Sequence, residues 1–262
     1  MSEDLLTALR VGFLGDGHIN GVLRRAVEAS RSYEVVGSYG RDDVLPDHAD
    51  VDVIVEAATQ QAVRERVPGL LEAGVDVILL SVGALADPGL RSRLLEGNRG
   101  RLIACTGAIG GLDQVRALRA AGPLSEVSIE SRKLPASLIQ SWMPDGLKDD
   151  LRTRTTELLL ADGPAGDVAR RFPASANVAA SLALAADAWD FATARVIADP
   201  DAVQTRHEIH AVGELGEVRA VVVNTPSSER PRSSAVVAWA ALRSLDDYAR
   251  LRGFDAEGAA FL

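Results

Sequence analysis

The first hundred residues alternate short, nearly continuous apolar runs with stretches of helical periodicity, and few folds accept that rhythm. Residues 10–15, 33–39, 51–57, 75–82 and 102–106 read as strands. Val51-Asp52-Val53-Ile54-Val55 and Val77-Ile78-Leu79-Leu80 have almost no polar alternation, as expected of strands covered on both faces. After the first run, Ile19, Val22, Leu23, Ala26 and Val27 mark one stripe of an amphipathic helix, and residues 60–73 read as a second helix. Strands separated by helices of this length build βαβ units and a parallel sheet. The expected class is α/β, with a Rossmann-type doubly wound parallel sheet.

After about residue 112 the pattern changes. Residues 127–131 and 206–223 alternate in polarity like antiparallel strands, residues 151–160 and 176–191 read as helices, and 224–232 form a turn-rich loop. A last helix carries Val237, Ala240, Ala241, Leu245 and Tyr248 on one face. The expected organisation is a first domain over 1–112, completed by the C-terminal helix of 233–262. A second α/β domain over 113–232 contains a mixed or antiparallel sheet. That last helix, with Trp239, has either the first domain or a second subunit to bury against, and a homodimer is the expected assembly.

Charge narrows the partners. Lys and Arg number 28 against 37 Asp and Glu, a net charge of −9, and only Lys133 and Lys148 are lysines. A net acidic chain repels phosphate backbones at long range, so nucleic acid is not an expected partner. No apolar run approaches the roughly 18 residues of a membrane span. The N-terminal residues do not read as a signal peptide, and the single cysteine, Cys105, fits a reducing compartment. The expected location is the cytoplasm.

Gly15-Asp16-Gly17-His18-Ile19-Asn20 ends the first strand and opens the first helix. That is the setting of a dinucleotide-binding turn: Gly15 allows the tight turn, Gly17 the close approach of a pyrophosphate, and the helix N-terminus supplies N–H groups, with His18 and Ile19 beside them. The third glycine of the fingerprint is replaced by Asn20. Where the second strand ends, an acidic residue would bind the ribose of NAD, but Gly40 and Arg41 stand there. A guanidinium fork suits a 2′-phosphate. The expected cofactor is NAD or NADP, with NADP accepted and its preference over NAD left open. Asp42 and Asp43 follow closely and restore NAD binding if the turn shifts by one residue.

Several segments resemble the L-aspartate dehydrogenase family, in family order across nearly the whole chain. They include Val55-Glu56-Ala57-Ala58, Ser81–Asp87, Thr106–Asp113, Arg132–Leu138, Phe172-Pro173-Ala174, Asn177–Ala185, His207-Glu208-Ile209, Asn224–Ser227 and Pro231–Ser234. The resemblance implies NAD(P)-dependent oxidative deamination of L-aspartate to iminosuccinate, then oxaloacetate and ammonia, or the reverse amination, with a possible place in NAD biosynthesis. It also implies that Ala108 and Asn177 contact the dinucleotide near the nicotinamide, and that His207 is catalytic. No metal is implied.

Proton transfer near neutral pH favours a histidine. Four are present, His18, His48, His207 and His210. His207 and His210 stand at odd separation on one expected strand and so face opposite sides. Periodicity does not choose between them; the resemblance selects His207, to activate the water that attacks the imine and to shuttle the amine proton. The candidates for the two substrate carboxylates are Lys133, Arg132, Arg232, Ser233 and Ser234. Competing readings are a related enzyme acting on another amino or imino diacid, and an NADP-binding sensor that has lost catalysis.

Overall fold

The computed structural model describes residues 8–173, 176–227, 233–254 and 259–260. The polypeptide divides into two compact units, one holding the residues up to Ala84, Pro88–Gly107 and Val237 onward, the other Leu85–Asp87 and Ala108–Val236.

The first unit runs β1 (Leu9–Leu14), α1 (His18–Glu28), β2 (Tyr33–Tyr39), β3 (Val53–Glu56), α2 (Gln60–Glu72), β4 (Asp76–Leu79), α3 (Pro88–Leu95) and β5 (Leu102–Ala104). All pairings are parallel, in the order β2-β1-β3-β4-β5. The chain winds one way from β1 to β2 and the other way from β3 onward. The β1/β3 boundary is therefore the switch point, outside whose carboxyl ends such sheets bind ligands.

Leu9, Val11 and Phe13 of β1 and Val53 and Val55 of β3 are wholly buried, and Leu23 and Val27 of α1 close over them. The C-terminal helix (Val237–Leu251) buries Ala241, Leu245 and Tyr248 in the same core. It is also tied by polar contacts. Tyr248 donates to Asp76 Oδ2 at 2.8 Å, Asp76 Oδ1 accepts the Arg101 N–H at 2.7 Å, and Tyr33 bonds to Asp246.

The second unit runs α4 (Leu112–Ala121), β6 (Leu124–Lys133), α5 (Asp145–Thr153), β7 (Leu158–Pro164), α6 (Ala165–Arg171), α7 (Asn177–Ala186), β8 (Thr193–Ala198), β9 (Thr205–Gly213) and β10 (Gly216–Asn224). The sheet order is β10-β9-β6-β8-β7, parallel only between β6 and β8. One face is covered, with α7 packed on β6 and α4 on β9 and β10. The other face carries charge, including Glu130, Arg132, Arg195 and Glu208 in ion pairs.

Three details depart from the sequence reading. The expected helix over 151–160 is α5, earlier in the chain, followed by strand β7. Leu158-Leu159-Leu160 satisfies either periodicity, and pairing with β8, through a bulge after Leu159, decides for the strand. The expected strand over 206–223 is a hairpin, turned at Glu214 and Leu215. The short strand β8, which completes the mixed sheet, had no counterpart in the sequence reading.

Candidate active site

In the first unit the glycine turn is shaped by contact and not only by composition. Gly15 has φ +101°, and a Cβ there would lie 2.7 Å from the Ala58 Cβ, so no other residue fits. Gly17 precedes α1 in extended geometry and offers no capping side chain, and the first turn of the helix carries no acid. A helix N-terminus of this kind carries the partial positive charge that favours an anion.

Asn20 explains the missing third glycine. Its side-chain amide donates to the Leu14 carbonyl at 2.9 Å and the Gly15 carbonyl at 2.8 Å, locking the turn from beneath. Its Oδ1 is buried with no partner among the described residues.

The neighbouring strand end is held by Glu56, which is wholly buried. Its carboxylate accepts from the Ala58 N–H at 2.8 Å, the Ser81 N–H at 2.9 Å and the Ser81 hydroxyl at 2.8 Å. Burial pushes this carboxyl group up, and those donors oppose the shift. The clamp fixes Ala57 and Ala58 where Gly15 must pass. These features fit a dinucleotide: a cradle too tight for a Cβ, a helix N-terminus with no acid in its first turn and a rigid floor.

Beyond β2, Arg41 is exposed. Its turn is held from two sides. Asp43 Oδ2 accepts the Gly40 N–H at 2.7 Å, and the Arg66 guanidinium donates to the Gly40 carbonyl at 3.0 Å and to the Arg41 carbonyl. Arg66 was not legible in the sequence, because it lies on α2, some 25 positions away.

In the second unit, polar side chains sit where the strand pattern calls for apolar ones. On β6 the buried positions are Leu124, Val127, Ile129, Ser131 and Lys133, and on β9 they are Thr205, His207, Ile209 and Ala211. Ser131 stands opposite His207 in the ladder. The Ser131 Oγ and His207 Nδ1 are 2.8 Å apart. His207 is 1% exposed and Lys133 5%. The His207 Nε2 is buried and has no partner among the described residues.

The electrostatics revise one expectation. Burial, and then the charge of Lys133, push His207 down to about 3, and burial pushes Lys133 down to about 8. The imidazole is therefore neutral across the physiological range, and the lysine is the group that titrates near it.

Arg132 does not join this group. It lies on the opposite face, paired with Glu130 at 2.9 Å and with Glu157, because neighbouring strand residues face opposite ways. His210 is on that face too, between Glu126 at 3.0 Å and Glu217 at 3.1 Å. Ala108 is fixed by its carbonyl, which accepts from Asn224 Nδ2 at 2.8 Å. Asn177 is the first residue of α7, the cap position being Ala176. Ser233 and Ser234 lie in a short pairing with 225–227, where the Ser227 N–H donates to the Ser233 carbonyl at 2.8 Å and Ser234 bridges Pro226. Arg232 lies outside the described residues. Ser131 was missed in the sequence reading, although its even spacing from Lys133 was a usable signal.

Residues 113–248 match the family model described as "Aspartate dehydrogenase, C-terminal", and residues 18–100 match "Homoserine dehydrogenase, NAD binding domain". The L-aspartate dehydrogenase of Methanosarcina barkeri is 36% identical, over 90% of this chain and 96% of its own length. The chain belongs to the aspartate dehydrogenase family. L-aspartate dehydrogenase 2 of Bordetella pertussis is 41% identical over 74% of this chain and 73% of its own. The fold has a solved counterpart in the aspartate dehydrogenase of Thermotoga maritima, with a TM-score of 0.71 at 21% identity, covering 97% of this chain and all of that one. Membership makes this chain an oxidoreductase with an NAD(P)-binding domain.

Proposed function

We propose that this protein interconverts L-aspartate with iminosuccinate, and so with oxaloacetate and ammonia, using NAD or NADP. The observation that carries the reading is His207: a neutral imidazole anchored through Nδ1 by Ser131, its buried Nε2 left for a ligand. A group held in this way suits the water that attacks an imine carbon. The relatives named L-aspartate dehydrogenase support the choice of amino diacid.

The roles divide by unit. In the first, Gly15, Gly17, His18 and Ile19 hold the pyrophosphate at the N-terminus of α1, and Arg41, on the turn fixed by Arg66, meets a 2′-phosphate, so that NADP is accepted. In the second, Ala108 and Asn177 flank the nicotinamide, and Lys133, Arg232, Ser233 and Ser234 line the substrate. Arg132 is left out, since its guanidinium is already committed to Glu130 and Glu157. The bound dinucleotide supplies the hydride acceptor. A homodimer in the cytoplasm completes the proposal, supported by the large apolar side chains exposed on the second unit's sheet and on the C-terminal helix, Val221, Val223 and Trp239, and by a single buried cysteine.

The deciding experiment follows absorbance of the reduced nicotinamide with aspartate and each nucleotide, and with oxaloacetate plus ammonium in reverse, beside a panel of other amino acids. Turnover of aspartate above the panel is expected. Turnover of another amino diacid in its place, or nucleotide binding with no turnover at all, overturns the reading.

A further inference from the structure

Three acids stand at the ends of β3 and β4, and two of them lie at the amino edge of the parallel sheet. Asp52, just before β3, pairs with Arg10 at 2.8 Å. Asp76, the first residue of β4, accepts from the Tyr248 hydroxyl at 2.8 Å and the Arg101 N–H at 2.7 Å. The third is Glu56, the last residue of β3, at the carboxyl edge.

Glu56 is wholly buried, and the hydrogen bonds to its carboxylate come from neutral donors. The Ala58 N–H and the Ser81 hydroxyl donate to Oε1, and the Ser81 N–H donates to Oε2. No arginine, lysine or histidine pairs with it among the described residues, and the buried residues of α2, the next element, carry no charge. Each oxygen thus accepts from a backbone N–H, which cannot turn round to accept in its place. That arrangement favours the carboxylate over the acid, against the burial that pushes the group up. A buried charge without a counter-ion is costly, and it acts strongly on whatever binds beside it.

The topology says what binds there. Gly15 and the start of α1 mark the pyrophosphate, and the end of β2 marks the adenosine ribose. A dinucleotide crosses the switch point, so its nicotinamide half falls on the β3 side, at the carboxyl ends of β3 and β4. Glu56 ends β3, and it grips the residue that follows β4, Ser81, and the residue that a Cβ at Gly15 would strike, Ala58.

We propose that Glu56 determines which redox form of the nucleotide the protein prefers: its buried charge attracts the oxidised nicotinamide ring, a cation, and has no such hold on the reduced ring, which hydride addition has made neutral. The phosphates carry the same charge in both forms, so the ring alone separates them. Opposite unit charges about 10 Å apart, at an effective dielectric constant of about 20, change binding on the order of tenfold. Favouring the oxidised form by that factor makes the bound reduced nucleotide a stronger hydride donor by the same factor. The inference needs the nucleotide and not the amino acid, so it stands or falls apart from the aspartate reading.

The test is calorimetric titration with NAD, NADH, NADP and NADPH, each without amino acid. The quantity that decides is the Kd of the reduced form divided by that of the oxidised form. Glu56→Gln removes the charge, and its amide nitrogen must face a backbone N–H, so the clamp is disturbed as well. Both forms should bind more weakly, but the ratio should fall on the order of tenfold. Glu56→Asp keeps the charge on a shorter side chain, so it disturbs the clamp alone. Both forms should again weaken, with the ratio held within about twofold of wild type. An unchanged ratio in Glu56→Gln, or the same change in both variants, overturns the proposal and leaves Glu56 a clamp only. If Glu56→Gln does not fold, the wild-type protein decides: tighter binding of the oxidised form is expected, and tighter binding of the reduced form overturns the proposal.

Discussion

The Ser131 hydroxyl and the His207 Nδ1 face each other across the β6–β9 ladder at 2.8 Å, both on the buried side of the sheet. That pairing converts a strand histidine into an oriented one. It fixes which nitrogen is spent on the protein and which remains for chemistry.

Ser131→Ala removes one hydrogen bond worth about 0.5–1.5 kcal/mol. It should lower kcat roughly 3- to 10-fold with little change in KM. His207→Ala should lower kcat by roughly 10²–10⁴-fold. Steady-state kinetics with aspartate check both, and a Ser131→Ala variant with wild-type kcat rejects the orienting role. His207 also bears on stability. Its folded value is depressed to about 3, so its contribution is intact above about 6.5 and is lost as pH falls from there toward 3. Histidine NMR should show the His207 imidazole still neutral at pH 5.

Asn20→Gly restores the sequence fingerprint but should weaken the protein. The change removes two bonds, to the Leu14 and Gly15 carbonyls, and places glycine inside α1 at a cost of about 1 kcal/mol. Thermal denaturation should show a lower Tm, and nucleotide titration a weaker Kd. An unchanged Tm would mean that the Asn20 bonds hold nothing in place.

Much of this was readable along the chain. The parallel sheet was legible because its strands are apolar runs set apart by amphipathic helices, and the glycine turn because Gly15 and Gly17 stand at one strand end. What was hidden depends on register and partners. Leu158-Leu159-Leu160 became a strand only through β8, which has its own place in the ladder. Lys133 and Arg132 were equal candidates by composition, and the alternation of β6 sends one into the covered face and the other to Glu130 and Glu157. The value of His207 depends on burial and on Lys133, 74 positions earlier, which no local pattern encodes.

Arg41 and Arg66 should separate in a binding assay. If Arg41 meets the 2′-phosphate, Arg41→Ala loses a charge-assisted bond of about 1.5–3 kcal/mol, weakening NADP roughly 10- to 100-fold and leaving NAD nearly unchanged. Arg66→Ala instead frees the Gly40–Asp43 turn and should weaken both nucleotides. Fluorescence titration of each nucleotide with each variant is the check. Equal loss of NAD and NADP in Arg41→Ala rejects phosphate recognition. Arg132→Ala, on the open face, should leave kcat within about twofold, since its partners Glu130 and Glu157 are surface carboxylates.

Lys133→Met should give a protein that is inactive and more stable. The lysine is depressed from about 10.5 to about 8, so below pH 8 folded and unfolded chains both hold the proton, and the folded one bears the cost of burying it. That cost is on the order of 3 kcal/mol, at about 1.4 kcal/mol for each pKa unit. Between pH 8 and about 10.4 the unfolded chain binds more protons, so the wild-type protein gains stability as pH rises through that window. Methionine fills similar space without a charge, and its advantage should be greatest at pH 7 and nearly gone at pH 10.5. Calorimetry of both proteins at the two pH values measures the difference. A Met variant less stable than wild type at pH 7 would mean that the buried ammonium is well solvated by its surroundings, and that its retention has no cost for function to offset.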